Sequence, residues 1–252
     1  MLKNIFTKSN ILLGIGAILL LVMIGFVEKK SLETKVNKVI VNIEEGTHFV
    51  DEQDVLAIIN GYNEDSLRGQ YLQEVNLKSL EYKIERIKFV DKADVYKDHK
   101  GNLLVDIKQC KPIARVVQQY GPHAYIGDKG NILPVSEKYT ARVVIIDGEN
   151  VNKLMDSTFM VSDEAKVFVS MVQFINRDPF LKAQISQITY RKNGEIELRP
   201  QVGNEVIYMG KLDDWEIKFS KLKTYYRQIV QLKGFNKYKT VNLKYKDQII
   251  CE

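Results

Sequence analysis

An uninterrupted apolar run near the start of the chain restricts its organisation more than any other feature. Residues 11–27 read ILLGIGAILLLVMIGFV and contain no charged side chain. As a helix, these 17 residues extend about 25 Å, close to a bilayer core of about 30 Å. A cleaved signal peptide has a shorter apolar stretch and then a small-x-small site, whereas this run ends in Phe-Val-Glu-Lys-Lys. We therefore expect a retained transmembrane anchor, and the lack of a polar face argues against a buried core helix.

The lysines around the run do not fix its orientation. Two precede it and four follow it, namely Lys3 and Lys8, then Lys29, Lys30, Lys35 and Lys38. The positive-inside count therefore does not favour a cytoplasmic N-terminus, but long domains are translocated largely regardless of charge. We expect residues 1–10 to form a cytoplasmic tail, with the bulk of the chain on the outer side of the membrane.

Charge is distributed unevenly along the 252 residues. The chain has 37 basic and 32 acidic residues, too small an excess for a typical nucleic-acid binder. With 27% charged and 45% hydrophobic residues it is not a disordered chain. Residues 211–252 hold ten basic and five acidic side chains, whereas residues 1–210 are balanced. This excess indicates either a solvated basic face or a surface that steers an acidic protein partner.

After a polar stalk at residues 28–38, residues 39–110 predict a small β-α-α-β-β domain. The first helix opens at Val50-Asp51-Glu52, with acidic residues in its first turn, and ends at Asn60-Gly61. Its two helices are expected to cover one face of a small sheet. The predicted elements are a strand at 38–43, helices at about 50–60 and 77–85, and strands at 88–96 and 102–108.

Residues 111–252 predict a mixed, mostly antiparallel β domain with flanking helices, so the fold class is α+β. Asn193-Gly194 separates two apolar runs and is a strong hairpin signal. The most regular helix pattern runs from Leu212 to Ile229 in steps of three and four residues. The predicted strands are 113–119, 124–126, 132–133, 142–146, 185–191, 195–199, 205–209 and 238–250, with another helix at 163–176 stopped by Asp178-Pro179.

The sequence offers little material for catalysis or metal binding. It has no Gly-x-Ser-x-Gly elbow and no P-loop. His48, His99 and His123 are scattered and are expected in loops or on the surface. We expect no enzyme activity, catalytic residue, cofactor, metal site or small-molecule substrate.

Two smaller features leave alternatives open. Cys110 and Cys251 could form a disulfide on the oxidising side of a membrane, or could be two independent thiols. The acidic group of Asp213, Asp214 and Glu216 could be an acid/base or cation cluster. A helix start explains the same carboxylates more simply, because negative charge is favourable at the positive end of the helix dipole.

Four short segments, in order behind the apolar run, resemble one family. They are FVDKADV at 89–95, IKQCKPIAR at 107–115, YIGDKGNIL at 125–133 and VNLKY at 241–245. Together they are similar to the bacterial cell-division proteins of the FtsQ/DivIB family over essentially the whole chain. The segments PIAR and KYTAR, the second at 138–142, resemble the Bacteroidetes branch. Arg115 departs from the family's aromatic residue, and Asn242 and Lys244 stand where the family has Asp and Arg.

This resemblance implies a location and a role. The first domain would be a polypeptide-transport-associated (POTRA) domain, and the chain a single-pass protein of the cell inner membrane at the division septum, with its bulk in the periplasm. It would be a non-catalytic divisome scaffold that binds FtsB, as main contact, and FtsL. Through them it would help to regulate the septal peptidoglycan synthase FtsW/FtsI.

In the family, FtsB adds a strand beside the terminal strand, a mode that uses the unpaired backbone groups of a sheet edge. The resemblance nominates Lys244 and Tyr245 first, together with Val241 and Leu243 of the same strand. Weaker candidates on the preceding helix are Trp215 and Tyr226. A solvated lysine at 244 and core positions for the two helix residues remain the plain alternatives.

Two other functions compete with the scaffold. A POTRA-type chaperone or transport component would capture extended polypeptides by the same strand addition, without strong preference among them. An anchored cell-wall enzyme would need catalytic residues that the sequence does not offer.

Overall fold

The computed structural model describes residues 14–23, 34–46, 48–61 and 67–252. The chain divides into two compact units. The first comprises the described residues up to Gly46 together with Val50–Gln109, and the second comprises Cys110–Glu252 with His48 and Phe49.

The predicted anchor at 11–27 falls only partly on described residues. Residues 14–23 are helical and their side chains are exposed. The remainder of the anchor, and the predicted tail at 1–10, lie outside the described residues. In the ranges that the structure describes, no helix combines the length and the apolar character needed to cross a membrane.

The first unit has the predicted β-α-α-β-β order. A three-stranded sheet has the spatial order β1-β3-β2, with β1 parallel and β2 antiparallel to β3. The elements are β1 Val39–Ile43, α1 Glu52–Asn60, α2 Leu77–Glu85, β2 Val90–Lys97 and β3 Leu103–Gln109. Asp51 starts α1 with a reciprocal capping box, and Gly61 ends it with φ +55°, a left-handed conformation that glycine adopts without strain.

Two glutamates of α2 close the outer edge of β2. The Glu81 carboxylate accepts the backbone N–H of Val95 at 2.9 Å, and Glu85 accepts that of Ala93 at 3.3 Å. Both N–H groups would otherwise point outward from an edge strand, where they invite pairing with another chain. The helix therefore protects this edge.

The second unit is built on one mixed sheet of nine strands, in the spatial order β12-β11-β10-β9-β8-β7-β4-β5-β6. Neighbouring strands are antiparallel except for the pairs β10–β11, β8–β7 and β7–β4. The strands are β4 Pro112–Val116, β5 Ala124–Gly127, β6 Ile132–Pro134, β7 Val144–Asp147, β8 Ile185–Tyr190, β9 Ile196–Pro200, β10 Val206–Gly210, β11 Thr240–Asn242 and β12 Ile250–Cys251.

The helices of this unit begin where the sequence places caps. Ser162 caps α3, Asp163–Arg177, by accepting the N–H of Ala165. Asp178 ends α3, so the predicted stop at Asp178-Pro179 is confirmed. Pro179 then starts a further helix, α4, Pro179–Gln184, because proline suits the first helical position. The remaining helices are the 3₁₀-helix Val151–Met155, one turn at Ser157–Met160, α5 Trp215–Thr224, the π-helix Tyr225–Val230 and a last turn at Gln231–Lys233.

The core of the second unit contains a row of aligned apolar residues that crosses six strands. Each is the register partner of the next, and each is fully buried: Val116, Ile146, Ile188, Leu198, Ile207 and Val241. The row belongs to the same apolar cluster as Phe168 of α3 and Leu222 of α5. Cys251 of β12 is the register partner of Val241 and continues the row, half-buried.

Candidate partner-binding surface

The segment nominated for partner binding is a hairpin-like pair of short strands, and the prediction of one strand over 238–250 is wrong. β11 lies between β10 and β12, paired parallel to the first and antiparallel to the second. β12 is therefore the outermost strand at this end of the described sheet. We call β12, together with residues 243–249, the C-terminal edge.

A lysine from α5 explains why the chain turns after β11. Lys221 directs its Nζ to the carbonyl oxygen of Leu243 at 2.6 Å and also donates to that of Tyr245. Its burial lowers the pKa of the Lys221 ammonium below its ordinary value. The lysine thus holds two carbonyls that an extended strand would direct to a neighbouring strand.

The two first-choice residues, Lys244 and Tyr245, lie on the loop that Lys221 holds. Lys244 pairs with Glu195 of the β8–β9 turn, Nζ to Oε1 at 2.7 Å, and lies 5.9 Å from the ring centre of Tyr208. Its hydrogen bond holds the pKa of the Glu195 carboxyl below its usual range. Tyr245 is 51% exposed.

Gly210 leaves room for the side chain of Lys244. Its φ is +74°, and a Cβ at this position would lie 2.9 Å from Cγ of Lys244. An alanine there would combine a strained backbone with a collision. The glycine therefore allows the aliphatic part of the Lys244 side chain to lie against β10, with its ammonium at Glu195.

The other four nominated residues are directed toward the core. Val241 and Leu243 are fully buried within the apolar cluster. Trp215 is half-buried and meets Phe174 edge-on, with ring centres 5.1 Å apart. The structure therefore brings Lys244 and Tyr245 together at the surface and places Val241, Leu243 and Trp215 against the core.

Tyr226 belongs to a buried polar pair. Its hydroxyl donates to Oε1 of Glu205 at 2.9 Å, and both side chains are buried. Burial raises the pKa of Tyr226 well above its ordinary value. The π-helix also buries the neighbouring Tyr225, so two adjacent tyrosines face the interior.

The basic excess of residues 211–252 is partly engaged inside the unit. Lys218 is 6% exposed and donates to the Lys211 carbonyl and to Asp213 Oδ1, at 2.8 and 2.6 Å. This pairing lowers the pKa of Asp213. α5 begins at Trp215, so Asp213 and Asp214 precede the helix and Glu216 lies in its first turn. Other basic residues of this segment are exposed. Four precede the C-terminal edge in sequence and one, Lys246, lies within it: Arg227, Lys233, Lys237, Lys239 and Lys246.

No metal centre is seen in the part of the chain that the structure describes, where no group of three or more His, Cys, Asp or Glu side chains is arranged to hold an ion. His48 and His99 are exposed, and His123 is half-buried. Cys110 and Cys251 do not form a disulfide.

Nothing in the sequence indicated the roles of four residues near this surface: Lys221, Glu195, Glu205 and Gly210. Glu195 was predicted only as the first residue of the strand 195–199 after Asn193-Gly194, and its partner Lys244 lies 49 positions further along the chain. Lys221 sits in an otherwise amphipathic helix, where a lysine normally indicates a solvated face. Only the packing of α5 against the C-terminal edge reveals its role.

Two protein-family models match the chain, one in each unit. A family model described as a POTRA-like domain matches residues 34–108, the β-α-α-β-β unit. A second model, described as FtsQ/DivIB, C-terminal related, matches residues 111–252, more than half of the chain. The chain therefore belongs to the FtsQ/DivIB family. No curated protein gives a significant match.

Membership confirms the family prediction and its coarse consequences. The family is a non-catalytic cell-division family of membrane proteins associated with the divisome, and its domains indicate a scaffold role. The α+β class, the POTRA-like domain and a large mixed sheet agree with the predicted fold. The Bacteroidetes branch stays a prediction.

Proposed function

We propose that the chain is an anchored divisome scaffold that binds FtsB, together with FtsL, by strand addition at β12. Through these partners it would help to regulate septal peptidoglycan synthesis by FtsW/FtsI. The observation that carries the proposal is the outer edge of β12, which continues the buried apolar row of the sheet. The proposal rests on family membership together with this edge.

The register of β12 identifies the backbone groups available to a partner. Thr240 and Glu252 exchange both of their N–H to carbonyl bonds, at 3.0 and 3.1 Å. In an antiparallel pair, the next residue pair is not hydrogen-bonded, and its polar groups point away from the shared ladder. The N–H and C=O of Cys251 therefore point to the outer edge, where an added strand would bond to them.

Side chains would add apolar contact and charge selection. A residue opposite Cys251 in an added strand would continue the row that ends with Val241 and Cys251. The rim offers the exposed ring of Tyr245 and the ammonium of Lys244. We infer a partner segment with an apolar residue in the row and carboxylates at its flanks, because complementary charge raises association rates.

We also propose that residues 11–27 anchor the chain once in the inner membrane, with the N-terminus in the cytoplasm and the POTRA-like and β units in the periplasm. The membrane location of the family supports this. An alkaline phosphatase fused after residue 252 should be active, and the same enzyme fused ahead of residue 1 should be inactive. The reverse pattern would contradict the topology.

Strand addition can be tested by a proline substitution that removes one backbone N–H from the edge of β12. Cys251→Pro removes the outward N–H without breaking a bond to β11, and proline is tolerated at such edge positions. Cys251→Ala keeps the N–H and is the matched control. We expect the alanine variant to retain FtsB in a pull-down from the full-length chain and the proline variant to lose it, with unchanged circular dichroism. Equal retention would exclude this edge.

A side-chain test addresses the rim. Lys244→Glu with Tyr245→Ala should weaken FtsB capture, whereas Lys97→Glu in the first unit, an exposed lysine remote in sequence, should not. Capture should also decline as salt rises to about 0.5 M, because exposed charges are screened. A full-length chain that binds unrelated extended peptides as well as FtsB would favour the chaperone alternative instead.

A further inference from the structure

A groove in the second unit lies away from the C-terminal edge. It has a volume of about 280 Å³ and lies where the parallel strands β7 and β8 begin, beside the ends of α3 and α4. We call it the β7–β8 groove. Its lining includes Arg142, Val144, Ile145, Ile175, Lys182 and Ile185. β9, β10 and β11 separate β8 from the C-terminal strand β12 in the sheet.

The floor of the groove is apolar. Val144, Ile175 and Ile185 are buried and belong to the core cluster. Ile145, which lines the groove as well, is 43% exposed. An aliphatic side chain placed here would remove apolar surface from water, which stabilises a complex.

The rim of the groove is cationic. Arg142 and Lys182 are exposed, and among the described residues neither side chain has a hydrogen-bond or ion-pair partner. Among the residues that the structure describes, no acidic residue lines the groove. The carboxylate nearest in sequence to Lys182, Asp178, is already committed to the N–H of Leu181 and to Lys223.

Two other polar side chains of the lining are used within the unit. The Ser186 hydroxyl donates to the carbonyls of Arg199 and Pro200 at 3.1 Å. The Asn176 amide donates to the carbonyls of Ile113 and Val172, both at 2.9 Å. A ligand would therefore meet two cations and the exposed Gln201 side chain around an apolar floor.

We propose that the β7–β8 groove is a second docking site, for a short acidic peptide segment of a partner protein. One aliphatic side chain would occupy the floor, and flanking carboxylates would pair with Arg142 and Lys182. The volume lies just below the range of small-molecule sites, about 300 to 1,000 Å³, and suits one or two side chains. This site would engage a partner independently of the C-terminal edge.

The test uses the full-length chain and a labelled peptide, acetyl-Glu-Leu-Glu-Glu amide. We expect saturable binding that weakens about tenfold or more in Arg142→Glu/Lys182→Glu, because attraction becomes repulsion. Lys97→Glu/Lys192→Glu carries the same change in net charge at two exposed lysines outside the groove lining and should bind as the unaltered chain does. The neutral pair Arg142→Gln/Lys182→Gln should fall between them.

Two further readouts separate the groove from a general attraction of charges. Acetyl-Glu-Ser-Glu-Glu amide and acetyl-Lys-Leu-Lys-Lys amide should bind weakly, since one lacks the apolar side chain and the other has the wrong charge. Methyl resonances of Ile175 and Ile185 should shift on titration with the first peptide. Absence of saturable binding, equal losses in both double-charge variants, or shifts confined to other methyls would overturn the proposal.

Discussion

Tyr226 and Glu205 form a buried hydrogen bond between the π-helix and the chain just before β10, with 2.9 Å between the tyrosine hydroxyl and Oε1. The Oε2 atom is also buried and has no hydrogen-bond partner among the described residues. Among the described residues, the Tyr226 hydroxyl is thus the side-chain donor to this buried carboxylate. The pair is therefore a sensitive point in the stability of the second unit.

Tyr226→Phe should lower the free energy of unfolding of this unit by about 1–3 kcal/mol, because a buried acceptor loses its donor. The fluorescence of Trp215, the single tryptophan, reports this unit in a urea titration. Tyr120→Phe, at an 84% exposed ring, is the control and should change little. Equal effects of the two substitutions would show that the hydrogen bond contributes nothing.

The Lys244–Glu195 ion pair should give a pH-dependent contribution to stability. Lys244 lowers the pKa of Glu195 in the folded state, so the pair stabilises above the unfolded pKa of about 4.3 and loses its effect as pH falls through the lowered value. A double-mutant cycle with Glu195→Gln and Lys244→Met should give about 0.2–1 kcal/mol at about pH 7. The coupling should approach zero well below pH 4; a pH-independent value would contradict this assignment.

Lys221→Met should loosen the loop at residues 243–249 while leaving the apolar core of the unit in place. Methionine keeps most of the side-chain length but donates no hydrogen bond to the carbonyls of Leu243 and Tyr245. We expect faster amide hydrogen exchange in the loop and weaker FtsB capture. Lys223→Met, on the same helix but paired with Asp178, is the control; unchanged exchange in Lys221→Met would remove its proposed role.

Glu81→Ala/Glu85→Ala should expose the outer edge of β2. The amides of Ala93 and Val95 should exchange faster, and the chain should self-associate more readily at high concentration. Glu81→Gln/Glu85→Gln keeps an acceptor oxygen at each position and should behave like the unaltered chain. If glutamine and alanine variants exchange alike, charge rather than hydrogen bonding protects the edge.

Features set by neighbouring residues were predictable from the sequence. Asp51 and Gly61 bound α1, and Asn193-Gly194 joins β8 to β9, because caps and tight turns depend on side chains a few positions away. The family resemblance rested on such short segments as well. Local chemistry therefore accounts for the correct element order of the first unit and for most strands of the second.

The errors arose where distant contacts decide the backbone. The alternation of Val241, Leu243 and Tyr245 fits a long strand as well as a short one, and the turn depends on Lys221. The steps of three and four through Tyr226 fit an α-helix, yet a π-helix forms over Tyr225–Val230. The site was predicted only in part for the same reason, since Glu195 meets Lys244 across the sheet.

The contact between Lys244 and Glu195 gives any acidic partner an internal competitor. The ammonium of Lys244 is already paired with the carboxylate of Glu195. A partner's carboxylate would therefore have to replace Glu195 and release it to water. The net gain of such an exchange is the small difference between two similar ion pairs. Association at this position would therefore be selective for geometry while remaining easy to reverse.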